Sequence, residues 1–539
     1  MELAKKVNLI LIFLIGYLLF WNWQKDYGHL KTNATVEVDN IGADLSATLS
    51  SGHMLDTHNN TPQTIHVHTN LFSVDFSTLD GSIVKVGLNQ YPANTNSAKP
   101  FDLLSSEPDN FYIVQQGFLF DLDTNNQEQG PYTCLTCSKM ISKKESKQVV
   151  ELISKGKQWD IYKSFIFLNK SYEVLQQIKI VNHSNQSIQT RAFSQIVRGN
   201  QKDPGSESGM RISSFLGAAW WTKDKPYNKS SLSDLIKGHS NLNFTEKNGW
   251  LAFVQHYFIV SLIPEQGTKN FYSIRSANGR VYLSLVQEPR TVLPGQSYTD
   301  QIHVFMGPKI ISVLKPISPG LDLTIDYGWL WPIAEFLFYI LHSINSMIGN
   351  WGWSIVVLTV IVKLAFWPLS TASYRSMAQM RKLAPEIERL KDKYGDDKQK
   401  MSQAMMEFYR KEKINPLGGC LPMIVQMPVF IALYWTLMES VELRHSSFIF
   451  WIHDLADMDH YFILPILMGL SMYIQQSLNP SPADPMQAKM MKFMPIIFTG
   501  FFLFFPSGLV LYWIVSNLIS ILQQWTVNRR LNNSVYAKK

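Results

Sequence analysis

Thr359-Val360-Ile361-Val362-Lys363-Leu364-Ala365-Phe366-Trp367-Pro368 places one lysine inside a run of aliphatic and aromatic side chains. The run belongs to an apolar segment, residues 353–369, long enough to be read as a membrane span. A lysine inside a span costs about 2.5 to 3.5 kcal/mol on insertion scales, so Lys363 is a functional candidate. The competing reading is a lysine whose stem snorkels to the headgroups. Leu369 lies about 9 Å further along a helix, a distance the stem largely covers. Thr359 sits one turn earlier on the same face, which is then polar over two turns, as expected of a helix lining a wet cavity.

Outward from this segment the sequence reads as a membrane protein. Residues 374–413 follow it and carry Arg375, Arg381, Lys382, Arg389, Lys391, Lys393, Arg410, Lys411 and Lys413. The positive-inside rule puts this stretch in the cytoplasm. Further apolar runs cover residues 417–438, 461–478 and 493–505, the last joined by Pro506-Ser507-Gly508 to 509–527. Upstream, Lys5 and Lys6 precede an apolar run, 7–23, that ends in Phe20-Trp21-Asn22-Trp23. This reads as an uncleaved signal anchor with its start in the cytoplasm rather than a cleaved leader. Counting alternately gives six spans with both termini cytoplasmic and residues 24–350 outside. Residues 329–350 carry Pro332, Glu335, His342 and Asn345 and read as an interfacial amphipathic helix. A true span there would place the basic loop outside.

The expected organisation is a signal-anchor helix (1–23), a flexible linker (24–63), a β domain (64–328), the interfacial helix (329–350), a core of five transmembrane helices (351–528) that includes a cytoplasmic helical hairpin (373–414), and a basic tail (529–539). The linker is rich in Asn, Thr, Ser, Gly and His. The domain after it shows short runs of β-branched and aromatic residues, such as 158–168, 171–181, 257–263, 280–285 and 296–305. Turn signals such as Asp80-Gly81 and Asn278-Gly279 separate such runs. An antiparallel β-sandwich is expected. His66 and His68 share one strand face and would make half a metal site, but solvated histidines have the same pattern, and no metal is expected. The adjacent Trp220 and Trp221 suit either a stacking ligand or a core-and-rim pair.

The chain is 539 residues long with a net charge of +7, 46% hydrophobic residues and three cysteines. No basic run is dense enough for a nucleic-acid track, and no Walker motif, nucleophile motif or paired carboxylate stands out. No cofactor is expected. Cys134 and Cys137 form a CxxC without the further ligands that zinc needs. A short-loop disulfide and a pair of free thiols both remain open.

In the hairpin, Met377, Met380, Leu383, Ile387, Leu390 and Tyr394 recur every three or four residues, an apolar stripe on a charged helix. Gly395-Asp396-Asp397 breaks it, and Met401, Met405 and Phe408 form a second stripe. The hairpin either packs on itself or offers its methionines to varied partners. Gln426, Thr436, Gln475, Gln476, Ser516 and Asn517 are uncharged polar residues inside the later spans.

Several motifs carry a resemblance: Asn415-Pro416-Leu417-Gly418-Gly419-Cys420, Gln426-Met427-Pro428, Trp451-Ile452-His453-Asp454-Leu455, Asp484-Pro485-Met486-Gln487, Phe493-Met494-Pro495 and Phe505-Pro506-Ser507-Gly508-Leu509-Val510-Leu511-Tyr512-Trp513. Together they resemble the YidC/Oxa/Alb insertase family, in the Gram-negative layout with a large periplasmic domain. The resemblance implies a membrane insertase and chaperone of the inner membrane with no enzymatic reaction. It implies a hydrophilic groove open to cytoplasm and lipid, with Lys363 where the family commonly has arginine. The charge is kept and the bidentate fork is lost. Candidate substrate-contact and groove residues are Thr359, Gln426, Tyr512, Trp513, Ser516 and Asn517, with Trp513 standing where tyrosine is frequent. The implied partners are nascent inner-membrane proteins, the Sec translocon and its accessory subunits, the ribosome and signal-recognition pathway, and membrane lipid. A small-molecule transporter or channel would predict repeats of the spans, and a membrane-anchored carbohydrate-active protein would predict paired carboxylates in the β domain.

Overall fold

A computed structural model describes residues 63–95, 97–120, 131–136, 146–201, 214–238, 241–394, 398–412, 421–479 and 485–536. The expected anchor at 1–23, the linker up to residue 62, Cys137, the break at 395–397, the motif at 415–420 and the last residues of the basic tail lie outside the described residues. The chain divides into a β unit and a helical unit.

The β unit is two antiparallel sheets. In hydrogen-bonded order, one runs Thr64–His68, Phe72–Ser77, Ile83–Pro92, Tyr112–Phe120, Ile188–Gly199, Arg280–Val286, Lys269–Ala277 and Leu242–Lys247. Pro100–Leu104 pairs with its third strand and Arg290–Val292 with its fifth. The other runs Asn228–Ser231, Gly217–Trp220, Leu251–Val254, Phe258–Pro264, Ser297–Pro308, Glu173–Asn182, Trp159–Leu168, Lys147–Lys155 and Thr133–Cys134. Alternation decides which face is inward. In Trp159–Leu168 every second residue is buried, giving the row Trp159, Ile161, Lys163, Phe165 and Phe167. Aromatic pairs join the sheets: Phe76 and Phe165 at 4.5 Å, Phe101 and Phe258 at 4.5 Å, Tyr112 and Phe253 at 5.6 Å. The expected turn at Asn278-Gly279 has both residues at positive φ (51° and 72°), the geometry of a two-residue hairpin loop.

Lys163 lies in the inward row and was not singled out from the sequence. Its Nζ donates to the carbonyls of Asp80 and Gln116 and sits 4.7 Å from the centre of the Tyr132 ring, so the buried cation ties the two sheets together. His66 bonds Asp75 and His68 bonds Ser73, and no metal-holding cluster occurs among the described residues. Trp220 and Trp221 are both half-buried. Cys134 is disulfide-bonded.

The helical unit is built from α1 (Trp331–Ile348), α2 (Trp351–Ala365), α3 (Trp367–Lys382), α4 (Ala384–Tyr394), α5 (Lys398–Lys411), α6 (Leu421–Glu439), α7 (Ile463–Ser477), α8 (Pro485–Phe502) and α9 (Ser507–Tyr536). α1 buries Ala334, Leu337 and Leu341 and leaves Phe336, Tyr339 and Met347 exposed. Gly349, at φ 72°, ends it by donating its N–H to the Asn345 carbonyl. Thr436 on α6 donates to the Ala334 carbonyl at 3.1 Å, pinning α6 to α1.

Two helix boundaries correct the sequence reading. The span expected over 353–369 is not one straight helix: α2 stops at Ala365, and α3 leaves it at 65°. Pro368 falls in the first turn of α3, where its missing N–H is tolerated, and it disfavours a continuous helix through the junction. The hairpin stripe expected to run unbroken from Met377 to Tyr394 is divided at Leu383, because Pro385 opens a new helix, α4. The stripe residues Met377, Met380, Leu383, Ile387, Leu390, Met401, Met405 and Phe408 are all half-buried.

Among the described residues, one helix, Ser507–Arg530, is long and apolar enough to cross a bilayer by itself. The bent α2–α3 pair passes the same test only as a pair, and Ile424–Glu439 is a shorter apolar helix. Helix length and composition therefore do not establish the count of six spans. The 15 residues of α2 and of α7 each reach about 22 Å against a hydrocarbon thickness of about 30 Å.

Candidate functional site

The helical unit carries its apolar side chains outward. Val360, Ile361 and Leu364 on α2, Ile466, Leu470 and Ile474 on α7, Phe493, Ile496 and Ile497 on α8, and Leu518 and Leu522 on α9 are all exposed. A water-soluble bundle would bury such residues; a lipid-embedded one presents them. The polar side chains point the other way. On α9, Tyr512, Ser516 and Ser520 succeed one another at four-residue spacing and are all buried. They face Lys363 of α2 and Gln426 of α6.

Lys363 is 8% exposed. Its Nζ donates to Ser520 Oγ at 2.8 Å and to Gln426 Oε1 at 3.1 Å. The Gln426 amide donates in turn to Ser516 Oγ at 3.0 Å and Tyr512 OH at 3.2 Å. Lys363 accordingly holds a three-helix network rather than stretching toward headgroups. Its partners among the described residues are thus a hydroxyl and an amide, and no carboxylate pairs with it there. Its charge is solvated by neutral dipoles, which keep the field of the cation. A cavity of about 10 Å³ beside it, bounded by Phe366, Ser370 and Gln426, is the size of one water.

The remaining sequence candidates distribute around this network. Thr359 is fully buried, and its hydroxyl bonds back to the Ile355 carbonyl at 2.6 Å. Asn517 turns to α7, where its amide donates to Ser471 Oγ at 2.9 Å. Trp513 points into an aromatic cluster instead, 4.6 Å from the Phe430 ring and 5.1 Å from Phe502. Ser520, Gln523 and Gln524 were missed. Gln523 donates to the Trp367 carbonyl and to Thr371 Oγ1, both at 3.0 Å, tying α9 to the start of α3 just past the bend. The signal was present: Ser516, Ser520, Gln523 and Gln524 extend one polar face of an otherwise apolar helix.

The connection between α6 and α7 is rich in titratable groups. Burial pushes Glu442 up to about 7 and Asp454 up to about 6, the latter opposed by the Ala456 N–H at 2.8 Å. Burial and the adjacent Arg444 push His445 down to about 4. The raised carboxyls hold protons that the unfolded chain releases. The Glu442 contribution is complete below about 4.5 and is lost as pH rises through about 7. His445 works in the opposite sense between about 4 and 6.5. We expect the melting temperature of the detergent-solubilised chain to fall between about pH 6 and pH 8, and Glu442→Gln to flatten that fall. A profile unchanged by the substitution contradicts the assignment.

Outward apolar faces around an inward polar network, whose lysine has no carboxylate partner among the described residues, define an α-helical membrane protein. Comparison with known proteins specifies which kind. The 60Kd inner membrane protein family matches residues 343–534, and the YidC periplasmic domain family matches residues 64–340. A membrane protein insertase YidC of Hahella chejuensis is 41% identical over 100% of this chain and 99% of its own length. One of Stutzerimonas stutzeri is 41% identical over 98% of this chain and 99% of its own. The match to a crystal structure of an active YidC insertase with its first transmembrane domain resolved covers 86% of this chain and 92% of that one, at 18% identity and a TM-score of 0.40. The chain belongs to the YidC/Oxa/Alb family of membrane protein insertases. It is an insertase of the inner membrane, not an enzyme, and its substrates are nascent membrane proteins.

Proposed function

We propose that insertion proceeds along the polar face organised by Lys363, with the apolar segment of the substrate moving on the exposed aliphatic faces while its polar tail passes the Lys363, Gln426, Tyr512, Ser516 and Ser520 network. The observation that supports this is the hydrogen-bonded cation among three apolar helices with no carboxylate partner among the described residues. Moving a polar tail through about 30 Å of hydrocarbon is costly, and a wet, positively charged path part-way through the bilayer shortens the dry distance. An acidic tail is drawn by the charge and by the membrane potential, without nucleotide. The cavity at Lys363 holds about one water, so a tail enters only when α2, α6 and α9 part. Neutral dipoles around the cation make that separation cheaper than breaking an ion pair.

In this reading the chain crosses the membrane six times with both termini in the cytoplasm. Residues 24–350 are periplasmic, and residues 1–23 form the anchor. α1 lies in the periplasmic interface with Phe336, Tyr339 and Met347 toward lipid. The α4–α5 hairpin, basic outside and methionine-rich inside, meets ribosomes or anionic lipid at the cytoplasmic face. The Sec translocon and its accessory subunits and the signal-recognition pathway act as partners for part of the substrates. Thr359 and Trp513 act from beside the network, as packing of the path and as an apolar contact.

The β unit carries its own core and is dispensable for this chemistry. Deleting residues 64–250 is expected to leave insertion of a short single-span substrate within about twofold of the unaltered chain, whereas removing α1, which pins α6 through Thr436, abolishes it. Loss of insertion on deleting residues 64–250 alone overturns this division of labour.

A further inference from the structure

A second cavity, of about 160 Å³, lies between the end of α3, the turn after α7 and the Gln524–Asn528 turn of α9. Its lining includes Met377, Arg381, Lys382, Leu478, Gln524 and Asn528. Arg381 and Lys382 occupy the last turn of α3 and are exposed, so two cations flank the opening. Gln524 is 2% exposed. Its Nε2 donates to the Leu478 carbonyl at 3.1 Å and to Asn479 Oδ1 at 3.0 Å. A carbonyl only accepts, so these bonds fix which end of the amide is which. The other end, Oε1, is buried without a partner. An acceptor left so is costly unless a ligand supplies a donor.

The lining therefore offers two cations for an anion, apolar walls at Met377 and Leu478, and the Gln524 side chain, whose Oε1 is closed off here and would be uncovered by an arriving donor. Its level on α9 is marked by Trp525, which is exposed and stacks with Arg529 at 5.3 Å, one turn beyond exposed Leu518 and Leu522. An exposed tryptophan beside an arginine at the end of an apolar helix marks the headgroup layer. We infer that this cavity is a headgroup site for a phospholipid whose phosphodiester is held by Arg381 and Lys382 and whose terminal hydroxyl or ammonium donates to Gln524 Oε1. Phosphatidylglycerol and phosphatidylethanolamine carry both features. Phosphatidylcholine carries the phosphate but has no N–H or O–H to donate. The inference rests on the membrane placement proposed above. The occupied site would tie α3 to α9 at the cytoplasmic surface, below the Lys363 network.

The test uses the full-length chain, purified, delipidated and incubated with equal amounts of the three lipids, with retained lipid read by native mass spectrometry. The unaltered chain is expected to keep phosphatidylglycerol and phosphatidylethanolamine on the order of tenfold over phosphatidylcholine. Replacing both surface cations (Arg381→Ala with Lys382→Ala) lowers phosphatidylglycerol retention on the order of tenfold. Gln524→Leu lowers both donor-bearing lipids to the level of phosphatidylcholine, and circular dichroism and melting establish that each variant is folded. Should Gln524→Leu fail to fold, the phosphatidylcholine comparison on the unaltered chain decides the donor, and the double variant decides the phosphate. Equal retention of all three lipids, or retention unmoved by the double variant, overturns the site. Displacement of bound lipid by glycerol 3-phosphate at equal concentration overturns the lipid assignment in favour of a soluble phosphate. Insertion assayed on the same preparations separates the two claims: an unaltered chain that inserts but shows no lipid preference contradicts this site alone.

Discussion

Lys363→Glu is expected to lower insertion of a single-span substrate with an acidic tail on the order of 100-fold, with the protein still folded. The network explains both halves of that expectation. Ser520 can swing its hydroxyl from the Ser516 carbonyl to donate to a carboxylate, and Gln426 can turn its amide to present Nε2. The substituted side chain thus finds partners, and helix packing survives. What changes is the sign of the field that an entering tail meets. A buried charge facing a like charge is unfavourable by several kcal/mol, enough for a loss of this size. Lys363→Arg keeps the sign and is expected to retain most activity, and a substrate with a basic tail is expected to suffer less from Lys363→Glu than an acidic one. If acidic and basic tails lose equally, the residue acts through packing and not through its charge. If neither loses, the polar path lies elsewhere.

Trp250→Ala is the largest expected effect on stability. Trp250 is fully buried in the β unit, and its indole N–H donates to the Pro319 carbonyl at 3.0 Å. Removing it opens a cavity and orphans that carbonyl, a loss of about 3 to 5 kcal/mol. For a unit of this size the β transition should move down by roughly 10 °C. Intrinsic fluorescence and circular dichroism of the full chain measure it. Insertion measured below the new transition should be unchanged, because the substitution lies in the unit proposed to be dispensable. A parallel loss of insertion would show that the two units are functionally coupled.

The sequence displayed the fold class because each unit repeats a single physical pattern. In the β unit the alternation that buries Trp159, Ile161, Phe165 and Phe167 is visible without coordinates, and so is the Asn278-Gly279 turn. The same row contains Lys163, which drew no notice as a buried cation because nothing in the strand reveals the carbonyls of Asp80 and Gln116 across the sandwich. The helix breaks at Phe366 and Leu383 were marked only by Pro368 and Pro385. The apolar and amphipathic periodicities run on through both, and periodicity does not register a 65° change of direction.

The candidate site was legible one residue at a time and not as a set. A lysine in an apolar run stands out because its insertion cost is large. A serine or glutamine in a span is worth little by itself, so the polar face carrying Ser520, Gln523 and Gln524 gained meaning only when α9 aligned it with Lys363, Trp367 and Leu478. Sequence adjacency does not reveal direction: Tyr512 and Trp513 are neighbours, yet Tyr512 joins the Gln426 network while Trp513 turns to Phe430 and Phe502. Consecutive residues on a helix face directions about 100° apart, so one motif serves two surfaces.

Insertion by the purified chain is the decisive measurement. Full-length protein reconstituted into liposomes without nucleotide should bring a short, single-span substrate with an acidic tail to a protease-protected, membrane-spanning state, on the order of tenfold over protein-free liposomes, and Lys363→Glu should return the yield to that background. Insertion no better than in protein-free liposomes, with the chain folded and correctly oriented, would contradict the claim that this chain supplies the path by itself.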